Sequence, residues 1–152
     1  MRFRSVNAAI KWAMEMKARE IVTTSRYGQI SDGGELNAQE LHAQAEYVLL
    51  EINKLPYAER AAVAIKFDAP RIDTAMALAY EIGYCADRLA IDCVMAYQAD
   101  KPSIRDMAEK YKRSVGTVQA TRKKVFVRLD PIYFRAMGML DGALCDLIEK
   151  AA

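Results

Sequence analysis

The chain has few of the residues that metal sites, disulfide frameworks and membrane spans require. Its 152 residues include one histidine, three cysteines and four prolines, and no Cys-x-x-Cys pair occurs. An odd number of cysteines in a chain of this length predicts free thiols and a reducing cytosol. The most apolar stretch, Ile72 to Tyr97, is interrupted by charged residues, which argues against a membrane span. No apolar segment of the signal-peptide kind follows the basic start. We therefore expect a cytoplasmic protein with no membrane partner.

Patterns typical of enzymes are also missing. His42 has no partner ligand, and Cys85 and Cys93 on one helix would lie about 12 Å apart along its axis, too far to share a zinc ion. The carboxylates of the apolar stretch scatter around the predicted helix: Asp73, Glu81, Asp87 and Asp92. No Ser/His/Asp order, phosphate-binding loop or dinucleotide motif is present. We expect no enzyme, no catalytic residues, no cofactor and no metal site.

The charge that the chain does have is distributed unevenly. The formal net charge is +2, but residues 101–130 contain nine basic and three acidic residues. Residues 31–100 contain five basic and twelve acidic residues, and residues 1–30 contain six basic and two acidic ones. Concentrated basic charge in one segment is typical of a surface that contacts nucleic acid.

The apolar residues, 53% of the chain, recur at helical spacing and predict an all-α fold. The predicted helices run from Ser5 to about Ile21, from near Asn37 to Leu55, from Pro56 to about Lys66, over Ile72–Tyr97 with a division near Gly83, over Ser103–Tyr111, from Ser114 to about Leu129, and from Asp130-Pro131 to about Lys150. Three glycines in residues 27–35 indicate a linker. We predict an N-terminal helix and linker at 1–36, and a helical DNA-binding domain at 37–152 with a helical insertion at about 71–100.

Residues 103–129 have the pattern of a helix-turn-helix. Ser103 and Ser114 are suited to cap the two helices, because a serine hydroxyl accepts a hydrogen bond from a free backbone N–H. The predicted inward residues are apolar or small: Ile104, Met107, Ala108 and Tyr111 on the first helix, and Val118, Thr121 and Val125 on the second. The second helix then presents its other face outward, as an element that enters the major groove of DNA would.

This outward face supplies the candidate DNA-binding residues. Those predicted to read bases are Val115, Gly116, Gln119, Ala120 and Lys123, because an amide can pair with adenine and a lysine with guanine. Those predicted to contact phosphates are Lys110, Lys112, Arg113, Thr117, Arg122 and Lys124. If the five cations of this second set each neutralise a phosphate, log K falls with log[salt] at a slope of roughly −4.5.

An ordinary helical hairpin with a solvated basic face is the alternative interpretation of this segment. Two positions depart from the usual helix-turn-helix. Lys112 stands where glycine is common, and a left-handed conformation there costs lysine about 1 kcal/mol more than glycine. Arg113 stands where an apolar residue is common, so that its stem would have to pack while its charged end reaches outward.

The chain resembles a known family in three segments. Leu55–Ala61, Ser103–Ala108 and Ser114–Val118 are similar to the C-terminal helix-turn-helix (region 4) of sigma-70-type factors. The order of the parts along the chain points to a more specific family. These parts are a helix with Trp12, a glycine-bearing linker, an Ala-rich helix, the helix-turn-helix and the tail Met137–Asp141. This order resembles the late-gene antiterminators of lambdoid phages, the Q type, in the branch with a sigma-like DNA-binding domain.

The resemblance implies a phage or prophage protein of the bacterial host cytosol. It implies binding to double-stranded DNA near a late promoter, and loading onto a paused bacterial RNA polymerase, which then reads through terminators. Apolar surface on the 72–97 stretch or the last helix suggests a homodimer or a polymerase contact. Two alternatives remain: a sigma-like or repressor-type regulator that does not travel with polymerase, and a helical interaction protein whose basic hairpin contacts RNA or an acidic protein.

Overall fold

The computed structural model describes residues 2–23, 38–68, 71–99 and 101–149. These residues form seven α-helices and a short 3-10 helix, with one isolated β-bridge between Phe3 and Ile148. The helices are α1 (Val6–Thr23), α2 (Ala38–Asn53), α3 (Tyr57–Phe67), α4 (Ile72–Glu81), α5 (Arg88–Ala99), α6 (Ile104–Tyr111) and α7 (Val115–Ala143), and the 3-10 helix is Cys145–Leu147. The all-α class predicted from the sequence is confirmed. Within the described ranges, no helix combines the length and apolarity needed to cross a membrane.

Most predicted helix boundaries agree with the structure to within a few residues. The Oγ atom of Ser5 accepts a hydrogen bond from the N–H of Ala8 at 3.2 Å, and α1 begins directly after it. Helix α3 starts after Pro56, and the division expected near Gly83, which has a φ of 92°, separates α4 from α5. The cap expected near Asn37 and the linker at 27–35 lie outside the described residues.

The predicted boundary between the last two helices is wrong. Helix α7 runs through Pro131 without ending, and it stops at Ala143 rather than near Lys150. Pro131 lacks the N–H that would bond the carbonyl of Val127, and a proline inside a helix costs about 3 kcal/mol. Here Val127 and Pro131 are both exposed, so water can hydrate that carbonyl. On the opposite face, Leu129 and Ile132 are buried, and their packing continues across the proline.

The chain divides into two compact units. The first contains residues 1–55 and 137–152. In this unit the N–H of Phe3 donates a hydrogen bond to the carbonyl of Leu147 (2.7 Å), and the carbonyl of Phe3 accepts one from the N–H of Glu149 (2.8 Å). The Phe3 ring lies 5.1 Å from that of Trp12. This unit groups α2 with α1. The domain boundary predicted at residue 37 lies outside the described residues.

The second unit contains residues 56–136, and therefore α3 to α6 and most of α7. Tyr97 on α5 is central to it: its hydroxyl donates to a carboxylate oxygen of Asp130 at 2.6 Å, and its ring lies 5.2 Å from that of Phe126. The ammonium of Lys66 lies 4.6 Å from the centre of the same ring.

Alanine is prominent in the core. Eleven of the 34 buried apolar residues in the described ranges are alanines, among them Ala62, Ala75 and Ala108. Side chains this small let helix backbones approach one another closely.

Candidate nucleic-acid interface

Helix α6 begins with a reciprocal capping arrangement. The Oγ atom of Ser103 accepts a hydrogen bond from the N–H of Asp106 (3.1 Å), and the Asp106 carboxylate accepts one from the N–H of Ser103 (3.3 Å). The two bonds satisfy donors that have no partner within the helix. The cap predicted at Ser103 is confirmed; the aspartate that completes it was not predicted.

Three residues, 112–114, connect α6 to α7. Lys112 adopts the left-handed conformation, with φ 51° and ψ 46°. The N–H of Arg113 donates to the carbonyl of Ala108 (3.0 Å), and that of Lys112 to the carbonyl of Glu109 (3.3 Å). This pair of bonds is the usual way in which a left-handed residue ends a helix. Lysine therefore makes the turn that glycine makes more easily.

The first turn of α7 is fixed by Ser114. Its Oγ atom accepts a hydrogen bond from the N–H of Thr117 at 3.2 Å and lies 2.7 Å from the Thr117 hydroxyl oxygen. The cap predicted at Ser114 is confirmed. Because both helices are capped and the turn between them is hydrogen-bonded, the start of α7 has a defined conformation.

The inner faces of α6 and α7 are buried as predicted. Met107 on α6 and Val118 and Val125 on α7 are fully buried, and Ala108, near the middle of α6, is also buried. The flanking residues Ile104, Tyr111 and Thr121 are half-buried. The apolar contacts of both helices therefore determine which face of α7 is turned to solvent.

The five predicted base-reading residues lie together on the exposed side of α7. They are Val115, Gly116, Gln119, Ala120 and Lys123, and all five are exposed. Their spacing of three and four residues places them on neighbouring turns of one helix face. A Cβ atom added at Gly116 would meet nothing within 4 Å, so the space in front of the first turn is open.

The predicted phosphate-contacting residues fall into two groups. Lys112, Arg113 and Lys124 are exposed, and so is Thr117, whose hydroxyl bonds with Ser114. The other two cations have partners within the protein: the ammonium of Lys110, which is also exposed, lies 2.8 Å from the Asp92 carboxylate, and the guanidinium of the half-buried Arg122 lies 5.0 Å from the centre of the Phe126 ring. The hydrogen bond to Asp92 raises the pKa of Lys110 above its usual value.

A cleft of about 440 Å³ opens beside the exposed face of α7. It is lined by Ile104, Gln119, Arg122, Lys123, Phe126, Val127 and Asp130. Gln119 and Lys123 thus belong both to the cleft and to the predicted base-reading set. Sequence reasoning missed Phe126 and Val127 as part of this site. The signal was available for Val127, because it lies four residues after Lys123 and continues the same helix face.

The described residues offer little for other kinds of chemistry. Across 2–23, 38–68, 71–99 and 101–149, no three His, Cys, Asp or Glu residues are arranged to hold a metal ion. Cys93 is fully buried, and burial raises the pKa of its thiol to about 11. His42 is exposed on α2, and its Nε2 atom lies 3.6 Å from a Glu46 carboxylate oxygen.

Comparison of the chain with models of protein families, with curated proteins and with solved structures found no match.

Proposed function

We propose that this protein is a sequence-specific DNA-binding regulator of transcription, which inserts the first turns of α7 into the major groove. One observation carries the proposal: Gly116, Gln119 and Lys123 lie exposed on one face of a helix whose start is held by capped ends and a hydrogen-bonded turn. An α-helix fits the major groove, where each base pair presents its own pattern of donors and acceptors.

The residues of this face suit close approach to base edges. Gly116 and Ala120 are small and leave room for the DNA at the start of the helix. The amide of Gln119 can donate to and accept from one adenine, and the ammonium of Lys123 can donate to O6 and N7 of guanine.

The cleft beside α7 extends this reading surface. Ile104, Phe126 and Val127 supply its apolar lining, and the remaining lining residues are polar or charged: Gln119, Arg122, Lys123 and Asp130. A thymine methyl group is the apolar feature of the major groove and fits such a wall. We expect the preferred site to contain a thymine next to the base pair that Lys123 contacts.

The exposed cations position the protein on the duplex. Lys112 and Arg113 precede the start of α7 and Lys124 lies further along it, and each can neutralise a phosphate without reading sequence. With these three alone, log K falls with log[salt] at a slope of about −2.7, against about −4.5 if Lys110 and Arg122 leave their partners to join them. The slope therefore measures how many of these cations reach the DNA.

The finer proposal is a late antiterminator that loads onto paused RNA polymerase. It is supported by the resemblance to the Q-type family, and two of the three segments that carry this resemblance, Ser103–Ala108 and Ser114–Val118, belong to the α6–α7 pair. A regulator of the sigma-like or repressor type would use the same helix pair but would not travel with the polymerase. Co-migration of the protein with elongating polymerase on a template that carries its site separates the two.

The decisive experiment measures binding of the purified chain to fragments of its source genome across a salt series. Gln119→Ala and Lys123→Ala should each lower affinity for the preferred fragment by about tenfold, because each removes one base contact. Gln39→Ala on α2 and Lys17→Ala on α1 are matched controls, since both residues are exposed at the surface of their helices. They should leave the affinity for that fragment unchanged.

The assignment of the reading face would be contradicted if the chain bound every fragment weakly and with a steep salt dependence, and if both substitutions on α7 left this binding unchanged. Such a result would instead favour the helical interaction protein, with RNA or an acidic protein as its partner. Binding of those partners is measured in parallel with the same four variants.

A further inference from the structure

Phe3 anchors the segment that precedes α1. Its ring is buried and lies 5.1 Å from the ring of Trp12, and its backbone forms the β-bridge with Ile148. Neighbouring side chains of a β-paired segment point to opposite sides. Arg2 and Arg4 therefore point away from the buried ring, and both are exposed. The backbone that carries these two arginines is held in place by the anchor between them.

The charged groups of this segment have no partners within the first compact unit. Among the described residues of that unit, four cations make no ion pair, hydrogen bond or ring contact, and all four lie between residues 2 and 17: Arg2, Arg4, Lys11 and Lys17. Lys54, in contrast, lies 2.6 Å from a carboxylate oxygen of Glu51. The unpaired positive charge of the unit is therefore concentrated in its first residues.

The two signs of charge are segregated in this unit. Residues 2–19 contain five basic residues and one acidic residue. The other described residues of the unit, 38–55 and 137–149, contain one basic and six acidic residues. Solubility requires only interspersed charges, whereas charges of one sign gathered in one segment attract a partner of the opposite sign and orient its approach.

We propose that an N-terminal basic cluster, made of Arg2, Arg4 and Lys11, binds the phosphate backbone of double-stranded DNA. Lys11 belongs to the cluster because it lies in the same turn of α1 as Trp12, against which Phe3 packs. The planar guanidinium of an arginine can donate two hydrogen bonds to one phosphate. Because the anchor already fixes the backbone, less conformational freedom is lost when the arginines bind.

The cluster is suited to a duplex rather than to a single strand. Single-stranded nucleic acid is held largely by bases that stack on exposed aromatic rings. Here Phe3 is buried, and Trp12 is half-buried beside it. Only phosphate contacts remain, and these position a protein on a duplex without reading its sequence. This contact is additional to that of α7, and it requires no sequence recognition.

One carboxylate opposes the cluster. The N–H of Glu149 bonds to the carbonyl of Phe3, so that in the paired segments its side chain points to the same side as Arg2 and Arg4. Glu149 is exposed and makes no ion pair with either arginine. Three cations and one carboxylate leave this side with a net positive charge.

The first test measures protection of arginines from phenylglyoxal in the full chain, with and without a random-sequence duplex at about 50 mM salt. Mass spectrometry after digestion with a protease that does not cut at arginine locates the modified residues. At saturating DNA, Arg2 and Arg4 should react at least about threefold more slowly. Arg88 on α5 is the internal control, since it is also exposed and has no ion-pair partner in the described structure; its rate should not change. The single strand of the same sequence should protect less than the duplex.

The second test separates the cluster from the contacts proposed for α7. Binding to the random-sequence duplex is measured in a background that lacks three exposed cations, through Lys112→Gln, Arg113→Gln and Lys124→Gln. Adding Arg2→Gln and Arg4→Gln should lower the affinity at least about tenfold and make the slope of log K against log[salt] shallower by about 1.8. Adding Lys17→Gln instead should change neither, because Lys17 lies about 9 Å further along α1 than Lys11.

Glu149→Gln in the same background should raise the affinity about twofold, because it removes a charge that repels phosphate. Circular dichroism melting establishes that each variant is folded. Substitution of these exposed side chains leaves the buried anchor Phe3 in place.

Three results would overturn the proposal: unprotected Arg2 and Arg4 at saturating duplex, an effect of their substitution no larger than that of Lys17→Gln, or stronger protection by the single strand. None of these measurements depends on a preferred DNA sequence. Failure of the proposed reading face instead appears as equal affinity for all genomic fragments. The two failures are therefore distinguishable.

Discussion

The Nζ atom of Lys110 on α6 lies 2.8 Å from Oδ2 of Asp92 on α5. The same carboxylate oxygen accepts a hydrogen bond from the Tyr111 hydroxyl at 2.6 Å. One carboxylate therefore holds the last two residues of α6 immediately before the turn that leads into α7. This relationship gives Lys110 a partner within the protein next to the turn. Its contact with a DNA phosphate stays a prediction.

Asp92→Ala should destabilise the protein by about 2 kcal/mol, because it removes a carboxylate that accepts two hydrogen bonds. Urea unfolding followed by circular dichroism measures this change. Asp141→Ala removes an exposed carboxylate of α7 and is the control. Equal effects of the two substitutions would mean that Asp92 does not anchor α6.

Lys112→Gly should stabilise the protein by about 1 kcal/mol, since glycine adopts the left-handed conformation without a steric cost at Cβ. The same substitution at Arg113, which does not have a positive φ, should destabilise it slightly because it only makes the unfolded chain more flexible. Urea midpoints of the two variants give the comparison. A lower midpoint for Lys112→Gly than for the unmodified chain would contradict the turn geometry.

Cys93 should resist alkylation in the folded protein. The thiolate is the reactive form, and burial both raises the pKa of this thiol to about 11 and excludes the reagent. Cys85 and Cys145 are exposed and should react within the same time. Mass spectrometry after iodoacetamide treatment at pH 8 should find two labels on the native chain and three in urea. Three labels on the native chain, within the time in which Cys85 and Cys145 react, would contradict the buried position of Cys93.

Stability should fall as the pH rises above about 10, the ordinary pKa of tyrosine. Burial, and then the hydrogen bond to Asp130, raise the pKa of Tyr97, so that its phenol stays protonated in the folded protein while it ionises in the unfolded chain. The stabilisation that the raised pKa of Tyr97 gives the folded protein is complete below pH 10. It is lost as the pH rises towards that raised pKa, by up to about 1.4 kcal/mol per pH unit.

The variant Tyr97→Phe isolates this contribution. It should flatten the loss of stability between pH 9 and pH 11 in urea unfolding, whereas Tyr57→Phe, at an exposed tyrosine of α3, should keep the original pH dependence. Identical slopes for the unmodified chain and Tyr97→Phe would show that another group accounts for the loss. Tyr111, whose pKa burial also raises, is the next to substitute.

The parts of the fold that the sequence predicted are those that local chemistry determines. The caps at Ser103 and Ser114 lie within three residues of the N–H groups that they satisfy. The burial of Val118 and Val125 and the exposure of Gln119 follow from helical periodicity alone. These short-range signals are sufficient to place the candidate interface on α7.

The features that the sequence did not predict depend on residues distant along the chain. The bridge from Phe3 to Ile148 and the contact of Lys110 with Asp92 leave no mark in local spacing. Pro131 gave the opposite signal, because proline is usually a boundary. It lies inside α7 because its exposed side faces water and buried residues on the other face continue the packing.

Among the residues that the structure describes, eleven of the 34 buried apolar ones are alanines, and this has an entropic consequence. An alanine has no rotamers to lose when it is buried, whereas ordering a leucine or isoleucine costs about 0.5–1 kcal/mol. Folding therefore restricts little side-chain freedom at these positions, and the favourable free energy there comes from the close packing that small side chains allow between helix backbones. Such a core responds asymmetrically to change: Ala62 or Ala75 replaced by glycine loses one methyl group, whereas a larger residue must push two helices apart. Libraries of random variants should accordingly accept trimming at these sites more often than enlargement.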